Sequence, residues 1–380
     1  MTSRHSSVCI IGAGITGLAI AHELRGRGVD VVVVDRAGIG AGASGVQPGG
    51  VRQQWGTRVN CALARESFEF YRDVGERLEA PHVGALTACG YAFIAHSAER
   101  LEQLSKEVAL QREMDVPSSL VSPSELAELI PGLDVSTVVG GAYCAEDGYF
   151  DQPQAVVEAF AAAAVRRGAR IEHCDVVSLE QNGAGWTIHG ATGEKHLADV
   201  VIVAAAYDTP ALVAPLGIDV PIVKDARYLF FSEPIAERLL EPLVVSAERR
   251  FAAKHLANGR VLASDLSAEG DPESRSDDWR RSIRAHVREL LPLLEYVDFS
   301  VLVEGFYDVT PDNQPIIGPV PGLSGLWLAA GFSGHGFMMA PAVARAVANL
   351  LVEGSSEPLV KHFAIERFER EYLTPELQVV

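Results

Sequence analysis

Residues Val8 to Asp35 read VCIIGAGITGLAIAHELRGRGVDVVVVD, and no other stretch restricts the fold so tightly. An apolar strand-like run, Val8 to Ile11, meets Gly12, Gly14 and Gly17 in G-x-G-x-x-G order. A helix-compatible segment follows to about Arg27, and a second apolar run, Val29 to Val34, ends at Asp35. Each glycine has a physical task. Gly12 permits the tight turn, Gly14 lets a pyrophosphate approach the backbone, and Gly17 lets helix and strand pack closely. The free N–H groups and positive dipole end at the helix start, where Ile15 and Thr16 stand, then face phosphate charge. Asp35, followed by Arg36, is placed for its carboxylate to accept hydrogen bonds from ribose hydroxyls. The pattern predicts a dinucleotide site; a glycine-rich structural turn is the alternative.

The chain has 380 residues, enough for two domains, and 48% hydrophobic content supports a large core. No apolar run reaches the ~18 residues needed to span a bilayer. The N-terminus enters the first strand directly, so no signal peptide is expected and the location is read as cytoplasmic. Five scattered cysteines without a C-x-x-C pair fit a reduced interior and give neither a disulfide framework nor a zinc site. A formal charge of −18 argues against nucleic acid as a partner. It also means that a local basic group must draw in any anionic substrate.

Seven glycines lie between Gly38 and Gly56. A flexible surface loop is one reading; the other is backbone lying against a bulky planar ligand, where a Cβ would collide. Arg52 sits inside this stretch between Val51 and Gln53, an odd place for a solvated charge. Residues 60–78 suggest an amphipathic helix. In residues 85–145, TACGYAFIAHS is strand-like, Glu99 to Glu113 reads as a charged helix, and Ser122 begins a capped short helix. A helix is expected from about Pro153 to Arg167, with Ile171 to Leu179 and Trp186 to His189 as strands of a hairpin. ADVVIVAAA, Ala198 to Ala206, is a buried strand of the parallel type. Residues 210–304 alternate strands such as RYLFFSE and GRVLASD around one charged helix, about Asp277 to Leu291. After Glu353 a docked helix or frayed end is expected.

Near the far end, Gly331, Gly334 and Gly336 lie between a strand and a helix, with His335 among them. That helix start is a second site for partial negative charge, or an ordinary strand-to-helix turn. There is no second G-x-G-x-x-G for a separate nicotinamide domain, no metal-ligand spacing, and no G-x-S-x-G hydrolase elbow.

These motifs together resemble the FAD-dependent D-amino acid oxidase superfamily, in the branch that holds sarcosine oxidases, sarcosine oxidase β subunits and the proline dehydrogenase β subunit. The matching blocks are GAGITG, GASG with GGVRQQWG, ADVVIVAAA, TPDNQPIIG (Thr310 to Gly318) and AAGFSGHGF (Ala329 to Phe337), in the family's order. The resemblance implies an α/β fold: an FAD-binding Rossmann-like domain of the glutathione-reductase type plus an antiparallel-sheet-rich substrate domain. The FAD-binding domain would comprise residues 1–84, 146–208 and 305–360, the substrate domain residues 85–145 and 209–304, and a tail residues 361–380. Gly12, Gly14 and Gly17, with Ile15 and Thr16, would hold the pyrophosphate, and Asp35 and Arg36 the adenosine ribose. Ala43, Ser44, Gly49, Gly50 and Val51 would line the flavin, with Ala204, Ala205, Gly305 and Gly331 near it. Val176 or Val177 would contact the adenine side, and Gly334 to Met338 (His335, Gly336 and Phe337 included) the pyrimidine edge. Arg52 matches the substrate-carboxylate arginine, whose planar fork binds a carboxylate bidentately; an internal ion pair is the alternative. Tyr307, Tyr228 and His335 would shape the pocket.

Departures from the pattern change the expectation. Covalently flavinylated members carry a cysteine two residues before the tyrosine of the last block; Gly305 stands there before Tyr307, so FAD is expected to be non-covalent. Met338 replaces a carboxylate-binding lysine. GRVLASD lacks the lysine that promotes oxygen reduction, leaving Lys224 and Lys254 as candidates. The implied function is oxidation of the C–N bond of a small amine or amino acid, such as sarcosine or proline, by hydride transfer to flavin N5. Either O2 or another electron acceptor would follow, and a homo-oligomer or partner subunit is possible. A 2-hydroxy-acid or polyol dehydrogenase on the same fold is a second reading. A flavin-carrying subunit of a larger complex is a third, and a nicotinamide dehydrogenase a fourth.

Overall fold

The computed structural model describes residues 4–355, 361–369 and 373–378. The strand Arg4–Ile11 sits at the centre of an eight-stranded sheet. It runs parallel to Val31–Asp35 on one side and to Lys195–Val203 on the other, with Ile11 opposite both Val34 and Val203. Val31 to Val34 are fully buried, as a strand covered on both faces requires. Beyond Lys195–Val203 the sheet forks. The first half of that strand pairs antiparallel with Gly185–Gly190, and its end pairs parallel with Leu326–Ala330.

The expected hairpin strand Ile171 to Leu179 is two strands. Arg170–His173 continues the parallel sheet beside Val31–Asp35, whereas Val176–Asn182 pairs antiparallel with Gly185–Gly190. The break falls at Cys174 and Asp175, where Cys174 N–H still bonds Asp35 O at 2.9 Å.

Helices Ile15–Gly26, Pro153–Arg166, Arg58–Arg72 and Gly336–Glu353 pack on one another beside this sheet. Gly336–Glu353 is 18 residues long with a mean hydropathy of 1.2, long and apolar enough to cross a membrane by length and composition alone. Here it is a core helix, with ten buried residues. Pro341 lies inside it and has no N–H for the carbonyl of Phe337. The Tyr71 hydroxyl donates to that carbonyl instead, and Ser67 Oγ accepts the Ala342 N–H at 3.2 Å. Arg58–Arg72 thus repairs the gap that the proline opens.

The second sheet also has eight strands, in the order Val301–Val309, Val223–Phe231, Val261–Asp265, Phe251–His255, Leu243–Ser246, Tyr91–Ala95, Gly140–Cys144, Ser119–Val121. It is antiparallel except where Leu243–Ser246 meets Tyr91–Ala95. The boundary expected between residues 304 and 305 therefore falls inside one strand of this sheet. The capping box at Ser122 is present, with Glu125 as its partner. The charged helix begins at Pro272, not near Asp277, because the Asp271 side chain caps it and proline occupies its first turn. In the tail, residues 373–378 lie against the Arg52 turn; residues 356–360, 370–372 and 379–380 fall outside the described set.

Candidate functional site

The first glycine turn is built as its spacing dictates. Gly12 has φ +115°, and a Cβ there would stand 2.3 Å from Ala204 O. A Cβ on Gly17 would stand 2.1 Å from Gly12 O, so only glycine lets helix and strand close to this distance. The Asp35 carboxylate accepts N–H groups of Ala13 (2.8 Å), Ala37 (2.7 Å) and Gly38 (2.8 Å). Ser44 Oγ accepts the Ile15 N–H at 3.0 Å, bringing the second glycine-rich stretch against the helix start.

A cleft of about 560 Å³ runs from this turn between the two sheets. Gly12, Gly14, Ile15, Thr16, Asp35 and Arg36 line one end, with Val176, Val177, Ala204 and Ala205 beside them. Ala43 and Ser44 line its middle, and Gly305, Tyr307, Gly334, Gly336 and Phe337 its far end. Arg36 pairs with Asp208 at 2.6 Å on the rim. Gly17 lies behind the turn, packed on Gly12 and Ile10.

Gly49, Gly50, Val51, Arg52, Gly331, His335 and Met338 do not line the cleft but back its far end. A Cβ on Gly50 would stand 2.2 Å from the Tyr91 hydroxyl and 3.8 Å from the Met338 methyl. A Cβ on Gly334 would strike the Tyr307 ring at 2.4 Å, so the second glycine turn is pressed on that tyrosine. Arg52 is 2% exposed. Its Nη1 donates to Gln54 O at 2.6 Å, its Nη2 to Gln378 O, and its guanidinium carbon lies 3.7 Å from the Trp55 centroid. His335 packs edge-on against Trp55, with ring centroids 4.2 Å apart.

Tyr228 is misplaced by the sequence reading. Its ring stacks on Trp279 at 4.2 Å and its hydroxyl donates to Gly270 O at 2.7 Å, inside the core of the second layer. Successive strand residues face opposite ways, so its neighbours Arg227 and Leu229 line the cleft instead. Arg227 lies 5.0 Å from the Tyr307 centroid and pairs with Asp225 at 2.6 Å. Alternation along RYLFF flags the choice of face; only the pairing of Arg227 with Gly305 decides it.

Three more residues escaped the sequence reading. Asp308, next to Tyr307, lines the cleft, and burial pushes its carboxyl up to about 6 against the N–H groups of Phe332, Gly331 and Ser333. The Gly331 N–H bonds it at 2.7 Å, so Asp308 fixes the second glycine turn. Asp147 is fully buried, accepts the Gln53 N–H (2.9 Å) and Gln54 Nε2 (3.0 Å), and burial pushes it up to about 6. Trp55 carries both Arg52 and His335. Burial lowers the Arg52 guanidinium from its ordinary value. Burial first, then the charge of Arg52, hold His335 well below the usual imidazole range, so it is neutral. Neither lysine candidate lines the cleft: Lys254 donates to Pro48 O, and Lys224 lies 3.9 Å from the Phe306 centroid.

The family description of FAD-dependent oxidoreductases (DAO) matches residues 7–350. The chain belongs to the DAO family. It is an FAD-dependent oxidoreductase. The solved structure of L-proline dehydrogenase from P. horikoshii superposes with a TM-score of 0.89 at 27% identity, covering 98% of this chain and 100% of that one. Glycine oxidase of Pseudomonas aeruginosa is 28% identical over 367 residues, 93% of this chain and 96% of the relative. FAD-dependent oxidoreductase domain-containing protein 1 of Bos taurus is 26% identical over 417 residues, 96% of this chain and 85% of the relative.

The residues of this DAO-family site fit FAD. The cleft joins both glycine turns, the helix start Ile15–Gly26 opens on one end, and Gly336–Glu353 begins at the other. Just behind the far end, His335 Nε2, in a residue only 4% exposed, is buried with no hydrogen-bond partner among the described residues. A buried orphan of this kind is a place where a bound group or a water completes the hydrogen bonding.

Proposed function

We propose that the protein oxidises the carbon next to the nitrogen of a small amino acid, with secondary or N-methyl amino acids such as proline or sarcosine preferred. The observation that carries this reading is Arg52: a buried guanidinium, held by Trp55 and two carbonyls beside Tyr91 and Tyr307, just behind the end of the cleft where the second glycine turn lies. Such a fork recognises an acid group, and desolvation strengthens the attraction. The two relatives named for glycine oxidation and L-proline dehydrogenation support a substrate of that size.

The Gly12–Gly17 turn would hold the pyrophosphate, Asp35 the ribose, Val176 and Val177 the adenine, and residues 334–338 the pyrimidine edge of a non-covalent FAD. When bound, FAD supplies the acceptor for the hydride, through flavin N5. The chain's residues do the rest. Arg52 orients the acid group, so that the carbon beside the amine faces the acceptor. The first N–H groups of Gly336–Glu353 favour the negative charge that arrives with the hydride. No protein base is needed when the amine enters neutral, and the imine product hydrolyses in water.

Anaerobic bleaching of the purified chain across a panel of N-methyl amino acids, proline, glycine and 2-hydroxy acids tests this, followed by admission of air. Fast bleaching by the amino acids, lost in Arg52→Ala, is expected. Bleaching by hydroxy acids alone would replace the substrate, and no bleaching by any would point to a carrier subunit. Reoxidation on admitting air separates oxidase from dehydrogenase.

A further inference from the structure

Residues 373–378 cross the outside of the turn that carries Arg52, and the Glu376 side chain and the Gln378 carbonyl are spent on it. Glu376 is fully buried. Its Oε1 accepts the N–H groups of Gly56 (3.0 Å) and Gln378 (2.9 Å); its Oε2 accepts Asn60 Nδ2 (2.8 Å) and the Thr57 hydroxyl (3.2 Å). Gln378 gives its main-chain carbonyl to Arg52 Nη2. Its side chain is clamped by Glu107 and by Arg100, the latter at 3.2 Å.

This arrangement separates the groups that orient Arg52 from the carboxylates near it. Gln54 O fixes one arm of the guanidinium, Gln378 O the other, and Trp55 the plane. The guanidinium's hydrogen-bond partners among the described residues are carbonyl oxygens, and Glu376 and Asp147 act on it only through space. The nearby Glu376 instead spends its oxygens on N–H and O–H donors. A buried guanidinium held by neutral carbonyls keeps its charge for an anion that arrives from outside.

We propose that residues 374–378 form a clasp that sets the Arg52 fork for a carboxylate substrate, with Glu376 and Gln378 as positioning residues. This rests on the substrate reading above. Acetate is the probe, added to the FAD-loaded chain, and its dissociation constant is read from the change in the flavin absorption band. Removal of residues 377–380, and separately Glu376→Gln, should each raise that constant at least about tenfold. FAD content and the maximal reduction rate should stay within about twofold, the signature of lost ground-state positioning. In an Arg52→Ala background the removal should add nothing. Gln378→Ala, which keeps the carbonyl but frees its clamp, should give a smaller rise and decides the matter if the shortened chain does not fold. An unchanged acetate constant in Glu376→Gln and Gln378→Ala, with Arg52→Ala still impaired, would overturn the clasp alone. Unimpaired binding in Arg52→Ala would overturn the substrate reading, and the clasp with it.

Discussion

Arg52 and Trp55 are stacked: the guanidinium carbon lies 3.7 Å from the centre of the indole. The stack is itself pinned, because Trp55 Nε1 donates to Arg52 O at 3.2 Å while Gln111 Nε2 donates to Trp55 O at 3.0 Å. Three residues of backbone thus return the aromatic face under the cation it supports.

Replacing Trp55 with leucine removes a fully buried ring and one cation–π contact. The expected loss of stability is ~3 kcal/mol, read from denaturant midpoints at constant slope. Trp55→Phe should keep most of the stability and lose part of the carboxylate affinity. Equal loss in both variants would show that packing alone matters here.

Asp308 gives a pH dependence of defined sign. Its carboxyl is raised by burial to about 6, above its ordinary 3.8. A raised carboxyl favours the folded state fully below the unfolded value and loses that contribution as pH rises through about 6. The change is ~3 kcal/mol. Asp308→Asn abolishes it, so the stability of the natural chain minus that of the variant should fall by most of that amount between about pH 4 and about pH 8. A flat difference would place the carboxylate in water.

Asp35 should govern cofactor retention. Its carboxylate holds three N–H groups of the first glycine turn and still faces the cleft. Asp35→Ala leaves those donors without their acceptor and removes the proposed ribose contact. A loss of FAD affinity of at least about a hundredfold is expected, from charge-assisted bonds worth ~1.5–3 kcal/mol each. Fluorescence titration of the apoprotein measures it, and an unchanged constant would move the ribose elsewhere.

What was legible in the sequence is local. Gly12, Gly17 and Asp35 act within one βαβ unit, where spacing alone sets geometry, and the cleft forms where that unit predicts. The face of Tyr228 was not legible, because RYLFF carries bulky side chains on both sides and only its partner strand Val301–Val309 fixes which side meets the cleft. The break at Cys174 was hidden for a similar reason: both halves of Ile171 to Leu179 look like one strand until each finds a different neighbour. The partners of Arg52 were least visible of all, since Gln378 lies 326 positions away along the chain.

Lys254 sits behind the loop that forms the middle of the cleft. It is 1% exposed, its Nζ donates to Pro48 O, and it lies 4.1 Å from the Tyr149 ring centre. Burial pushes its amine down from 10.5 to about 7. A lowered amine disfavours the folded state fully below about pH 7, and the penalty disappears as pH climbs past the unfolded value near 10.5. The two extremes differ by ~5 kcal/mol. Lys254→Met keeps the stem and removes the charge, while loss of the bond to Pro48 costs ~1 kcal/mol at every pH. The variant should therefore be the more stable protein near pH 6 and slightly the less stable near pH 11, with a crossing between. Because Pro48 lines the cleft, FAD should also bind severalfold more weakly to the variant at both ends of that range. Parallel stability curves without a crossing would mean that the amine reaches solvent and holds no loop in place.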